Sequence, residues 1–283
     1  MKANKGFVLA FLIMMLIFST GCGQILNEAI GTSANAVNEK ADSDETLYEI
    51  TEADMKTTGE TPVAVRLEEL PDGYLQIAEP GVYLITGKLT DGKIVIDAHD
   101  DEIVHLILNG VELYSEEGPS IYVKKAAKVV ITLAEGSENV IGDSVNYSEG
   151  NEACIFSNVN LTFNGTGALY VYGYYHDAIR TKDCLKILET NIYIQSKNNG
   201  IRANDGVAME NSTVNIQSEG IGIKTDSDKD FVVMKGGECK IIAGENAIVS
   251  DHYIMIEGCK TDFYAVKETI RCNGEKHINE TES

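Results

Sequence analysis

Residues 177–202 read DAIRTKDCLKILETNIYIQSKNNGIR, a stretch that begins again before it has ended. Its opening Asp177-Ala178-Ile179-Arg180 returns as Asn199-Gly200-Ile201-Arg202, and the isoleucine then recurs at Ile223, Ile248 and Ile270, in steps of 22, 22, 25 and 22. A step of 24 backwards reaches Ile155. Two further apolar columns, Ile187/Met209/Met234/Ile256 and Ile194/Ile216/Ile241/Phe263, keep steps of 22, 25 and 22. The extra three residues therefore fall in one place, around Asp226 to Lys229, as an insertion in one loop of a regular coil.

Within each unit, pairs such as Ile192/Ile194 and Val214/Ile216 are two residues apart, the spacing of a strand with one face inward. A helical solenoid would show a 3.6-residue period and longer units. The reading is an all-β chain folded as a right-handed parallel β-helix with coils of about 22–25 residues, stacked about 4.8 Å apart, its hand taken from the general rule for parallel crossovers. The four Pro and 26 Gly suit many tight corners. Between 62 and 143 the strands continue, with turns expected at Asp91-Gly92, Asn109-Gly110 and Glu117-Gly118.

The amino terminus carries Lys2 and Lys5, an apolar run at 7–18, then Ser19-Thr20-Gly21-Cys22. Twelve apolar residues are too few for a permanent span of about 20 but suit a signal peptide. The Thr-Gly-Cys ending resembles a lipoprotein lipobox, with Ser19 where leucine is usual, which implies lipidation at Cys22. The expected organisation is a signal peptide at 1–21, a lipidated Cys22 and flexible acidic tether at 22–60, a β-helix at 61–274 and a polar tail at 275–283. The tether follows from a composition too polar to offset the entropy of ordering. The expected location is the outer face of the cell membrane of a bacterium, as a lipid-anchored monomer.

With 23 basic and 44 acidic residues the net charge is −21, which excludes a nucleic-acid partner that needs a basic face. The five cysteines beyond Cys22 (Cys154, Cys184, Cys239, Cys259 and Cys272) form no C-x-x-C, so neither a disulfide framework nor a zinc site is indicated.

Gly81-Val82-Tyr83-Leu84-Ile85-Thr86-Gly87, Leu106-Ile107-Leu108-Asn109-Gly110-Val111 and Lys128-Val129-Val130-Ile131-Thr132-Leu133-Ala134-Glu135-Gly136 resemble the bacterial carbohydrate-binding domain family of cellulolytic clostridia. The resemblance spans 62–273. It implies a pectate-lyase-like parallel β-helix that binds calcium and binds cellulose or acidic plant polysaccharide without catalysis. The family's Asp-Gly-Ile-Lys element is matched loosely at Asp177-Ala178-Ile179-Arg180, Asn199-Gly200-Ile201-Arg202 and Gly222-Ile223-Lys224.

Three sets of residues carry candidate chemistry. Arg180, Arg202, Lys224 and Arg271 follow the reference isoleucines, so alternation points them outward, as a cationic track for sugar carboxylates or as partners of nearby acids. Asp177, Asn199, Asp205, Asp226, Asp228, Asp230 and Asp251 crowd the same corner and are the expected oxygen ligands of calcium, or a solvated acidic turn. Tyr170 and Tyr193 fall in matching columns and are expected to lie under pyranose rings, or merely to form strand. The expected function is polysaccharide binding with calcium and no catalysis. A calcium-dependent pectate-type lyase and a structural or adhesive spacer are the alternatives.

Overall fold

The computed structural model describes residues 48–55, 59–99, 101–145 and 153–279. The expected export signal, Cys22 and most of the expected tether lie outside the described residues. The folded unit spans Ile50–Ser283 and is a parallel β-solenoid of three strands per coil, with one short helix among the described residues, α1 (Glu52–Met55).

One face is a nine-stranded sheet whose later members are β9 (Ala153–Ser157), β12 (Asp177–Thr181), β15 (Ile201–Ala203), β18 (Ile223–Thr225), β21 (Ile248–Ser250) and β24 (Ile270–Cys272). The ladders put Ile155, Ile179, Ile201, Ile223, Ile248 and Ile270 in one register column, and all but Ile270 are fully buried. The second face holds β10 (Leu161–Asn164), β13 (Cys184–Leu188), β16 (Gly206–Glu210), β19 (Phe231–Lys235), β22 (Tyr253–Glu257) and β25 (Glu275–Asn279). The third holds β8 (Glu138–Asp143), β11 (Ala168–Gly173), β14 (Asn191–Ser196), β17 (Thr213–Ser218), β20 (Glu238–Ala243) and β23 (Lys260–Ala265).

The second and third faces count as one 16-stranded sheet because β3 (Gly81–Leu89) and β5 (Ile103–Ser115) run through the corner between them. The turn expected at Asn109-Gly110 is thus a bend inside β5. Gly110 makes it with φ of 73°, a left-handed conformation that costs glycine nothing. At the corresponding corner of later coils the chain breaks, and Glu189 and Asn211 take φ of 50° and 47° without being glycine.

The inward columns of all three faces merge into one apolar core. Each coil closes over the last, so an inward isoleucine meets neighbours above and below as well as across the coil.

Packing extends beyond both expected ends of the β-helix. In the segment expected to be tether, α1 sets Asp54, fully buried, on the outside of the second face. Its carboxylate accepts hydrogen bonds from Lys128 Nζ at 2.8 Å, Thr162 Oγ1 at 2.7 Å, Lys186 Nζ at 2.9 Å and the Thr51 amide at 2.9 Å. Asn164 Nδ2 donates to the Asp54 carbonyl at 2.6 Å. Burial alone would push the Asp54 carboxyl up, but Lys128, Thr162, the Thr51 amide and Lys186 outweigh it and hold the group far below the usual range. At the other end, β25 lies in the expected tail and pairs with β22.

Candidate functional site

The outward residues of the third face form two columns. Register aligns Tyr170, Tyr193, Asn215, Lys240 and Asp262 in one, and Tyr172, Gln195, Gln217, Ile242 and Tyr264 in the other. Strand alternation explains the arrangement: Leu169, Val171, Ile192, Val214 and Ile241 point inward and are fully buried, so their neighbours point out.

The rings of Tyr170 and Tyr193 stack with centroids 4.9 Å apart and planes 14° from parallel. That separation is about one coil step, so the rings stand upright along the stack instead of lying flat on the sheet. One face of each ring is taken up by the other. Asn215 and Gln217, the next pair of outward residues, carry no ring, and the surface dips there into a trough of about 300 Å³. Tyr193 and Gln195 wall it on one side and Lys240 and Ile242 on the other. Lys240 is itself held by Asp262 at 2.9 Å. Burial, with Glu138 and the neighbouring tyrosines adding to it, pushes the Tyr170 phenol up, so it remains a hydrogen-bond donor at neutral pH. The trough thus offers one aromatic wall, three amides and the phenols of Tyr170, Tyr172 and Tyr193, which is chemistry for hydroxyl-rich, uncharged ligand surface.

The basic column occupies a different face. Arg180, Arg202 and Lys224 are register partners on β12, β15 and β18, followed by Val249 and Arg271. Asp226 accepts hydrogen bonds from Arg202 Nε at 2.5 Å and Lys224 Nζ at 2.6 Å. Burial would raise the Asp226 carboxyl, yet these two cations hold it below the usual carboxylate range. Arg180 lies over the Phe156 ring, with Cζ 5.7 Å from its centroid. Phe156 is an outward residue, and Arg180 and Lys182 cover it. Two of the three stacked cations are therefore tied to an acid, and the third caps an aromatic ring.

The seven residues expected to bind calcium are spread over separate corners. Asp177 Oδ1 accepts from the Asn199 amide, Asn199 Nδ2 and Asn198 Nδ2, each at 2.9 Å, and lies 3.0 Å from His176 Nδ1. Asn199 Oδ1 in turn accepts from the Ile221 amide at 3.2 Å. This is a turn-closing ladder, two residues before each reference isoleucine. Asp230 is fully buried and caps the next turn, receiving the His252 amide at 2.7 Å, the Asp251 amide at 3.0 Å and Ser250 Oγ at 2.8 Å. Asp251 accepts from Asn273 Nδ2 at 2.7 Å. Asp228 stands exposed.

Among the described residues, one group places metal-ligating atoms within 4.8 Å of one another: Asp183, Cys184 and Asp205. Burial and then the Asp205 carboxyl push the Asp183 carboxyl up, as expected where two acids share a site. Burial pushes the Cys184 thiol up to about 12, so it stays protonated. A hard cation would find two carboxylates there, and Asp205 is the only one of the seven expected ligands that takes part.

Sequence reasoning found Tyr170 and Tyr193 but stopped short of Asn215, Gln217 and Lys240. The signal was available. The same steps that relate the isoleucines carry Tyr193 to Asn215 and on to Lys240.

The family model described as "Carbohydrate-binding domain-containing protein" matches residues 71–283. A protein of that name from Acetivibrio thermocellus is 30% identical over 287 residues, covering 98% of this chain and 96% of its own length. Among solved structures, a polysaccharide lyase-like protein from C. thermocellum, studied as a gadolinium derivative, superposes with a TM-score of 0.72 at 28% identity, covering 76% of this chain and 95% of the other. On the family match and the parallel β-solenoid that accompanies it, the chain belongs to the carbohydrate-binding domain-containing protein family.

Proposed function

We propose that this protein is an exported, lipid-anchored, non-catalytic module that holds a plant cell-wall polysaccharide in the trough of the third face. The observation that carries the reading is the wall of Tyr193, backed by Tyr170, beside a floor of Asn215 and Gln217. A pyranose ring stacks on the open face of Tyr193 while amides and the Tyr170 phenol meet its hydroxyls. Lys240 is paired with Asp262, and the whole chain carries −21, so the trough favours a neutral glycan such as cellulose over polygalacturonate. Acidic glycan would need an ion to reverse the local sign there; the calcium we propose at Asp183 and Asp205 stands at the corner between the first and second faces, away from the trough, and so holds turns instead of bridging glycan.

A lyase needs a free arginine base beside bound calcium. Of the three arginines that could serve, Arg202 is held by Asp226 and Arg180 lies over Phe156, which weighs against that alternative, while Arg271 stands exposed on the last described coil.

The test is retention on insoluble cellulose and on immobilised polygalacturonate, with and without chelator, for wild type, Tyr193→Ala and Arg202→Gln/Lys224→Gln. The expected result is cellulose binding that survives chelator and falls about five- to thirtyfold in Tyr193→Ala, the loss of a stacking contact of roughly 1–2 kcal/mol. Unchanged binding in Tyr193→Ala would reject the trough. Release of an unsaturated uronate product from polygalacturonate would reject the non-catalytic reading.

A further inference from the structure

The second face carries a histidine that the trough does not use. His105 lies in β5 and points outward, because its neighbours Val104 and Leu106 point into the core. Its register partners are Val82 on one side and Val130, in β7 (Lys128–Leu133), on the other, both buried. An outward position would ordinarily leave the ring wet, yet His105 is only 1% exposed. Neither Nδ1 nor Nε2 has a hydrogen-bond partner among the described residues. One nitrogen of a neutral imidazole donates and the other accepts, so burying both unsatisfied costs stability. Burial pushes the imidazole below its usual range; Glu60 and Asp54 act upward and Lys128 downward, and burial prevails. The ring is therefore neutral at neutral pH.

His105 lines a cavity of about 340 Å³ together with Glu60, Pro80, Gly81, Glu102 and Ile103. That is far more than the roughly 30 Å³ share of one water, and it stands at the small end of ligand pockets. Gly81 pairs with Val104, the residue before His105, and a Cβ at Gly81 would lie 3.8 Å from Glu60 Oε2. The Glu60 carboxylate is thereby placed beside the strand that carries the imidazole. The three polar groups do not converge on a single ion. Among the described residues, metal-ligating atoms gather within 4.8 Å only at Asp183, Cys184 and Asp205.

We propose that this cavity binds a protonated amino sugar, with its ammonium on Glu60 and Glu102 and its hydroxyls on the His105 ring. A hydroxyl both donates and accepts, which matches the two unsatisfied nitrogens of one imidazole. Acids and imidazole too dispersed for one ion suit a ring that carries its charge at one position and hydroxyls at others. Pro80 and Ile103 offer apolar contact to the C–H face of such a ring. A chain of −21 draws a cation towards the cavity. The site lies on a different face from the trough and takes a charged ring where the trough takes neutral ones, so it does not rest on that reading.

The test is a titration of the full chain with glucosamine, N-acetylglucosamine and cyclohexylamine at a pH where the amines are charged. The readout is the His105 imidazole resonance in NMR, assigned by its loss in His105→Leu. Glucosamine is expected to shift that resonance saturably. N-acetylglucosamine lacks the charge and cyclohexylamine lacks the hydroxyls, and each should bind at least about tenfold more weakly. Glu60→Gln and Glu102→Gln should each weaken glucosamine about tenfold. His105→Leu replaces an unsatisfied polar ring by an apolar side chain, so the unliganded variant should melt no lower than wild type, which separates a binding histidine from a structural one. An imidazole unmoved by glucosamine would mean that water alone fills the cavity and would overturn the proposal. Equal affinity for either comparison ligand, acid variants that bind like wild type, or a lower melting temperature in His105→Leu would overturn it too.

Discussion

Asp143 is a single buried carboxyl that reaches the candidate trough through the turn it holds. It closes β8 at 3% exposure; Oδ1 accepts the Tyr174 amide at 2.6 Å and the Tyr175 amide at 3.3 Å, while Oδ2 has no partner among the described residues. Burial outweighs those two hydrogen bonds and raises the carboxyl from 3.8 to about 6. A folded-state value above the unfolded one means that the native protein binds the extra proton between the two values. The favourable term is complete below pH 3.8 and is lost as pH rises through 6. The turn that Asp143 holds carries Tyr174, whose ring stacks on Tyr172 at 5.8 Å, and Tyr172 lines the trough. Asp143→Asn should therefore stabilise at pH 7 by up to about 3 kcal/mol, less whatever the unpaired amide donor costs, and the gain should disappear by pH 4. Denaturant midpoints of both proteins at pH 7, 5.5 and 4 would show it. A difference independent of pH would mean that Asp143 titrates normally. None of this was legible in the sequence, because an aspartate at a strand end reads as a solvated turn residue, and only the stacked coils desolvate it.

At the scale of the element, the inward isoleucines were legible and their energetics follow. Ile201 is fully buried between Ile179 and Ile223 in adjacent ladders. Truncation to alanine leaves a cavity that hydrogen-bonded coils cannot close, so Ile201→Ala should cost about 2–5 kcal/mol, read as a drop in the denaturant midpoint. A loss below about 1 kcal/mol would place that side chain at the surface. Strand β15 could be assigned because alternation and the 22-residue step agree on it. Helix α1 could not. Four residues, EADM, carry no helical period, and their position depends on Lys128 and Lys186, which lie 74 and 132 residues away from Asp54. The basic column lies between these cases. Its register could be read from the sequence, but its partners could not, because Asp226 reaches Arg202 only across the coil boundary.

For the whole molecule, the proposed anchor and the folded unit divide the work: lipid at Cys22 would hold the chain at the membrane while the solenoid meets the glycan. If so, wild type should partition into detergent, and Cys22→Ala should accumulate as an uncleaved or mislocalised precursor. Partitioning unchanged by that substitution would remove the lipid from the scheme. By itself the sequence determined the solenoid, its coil length, the single three-residue insertion and the inward columns. These all follow from a repeat in which each unit buries the same face against its neighbours, so the information is written once per coil. Tertiary structure alone decided which polar residues act together. Tyr193, Asn215, Gln217 and Lys240 meet because stacking brings residues 22 to 25 positions apart to within one ladder step, while the acids expected to share a calcium ion are separated into turn caps, a ladder and a counter-ion. Hydrophobic burial constrains every coil alike and leaves a period. A polar contact constrains only its own pair and leaves none.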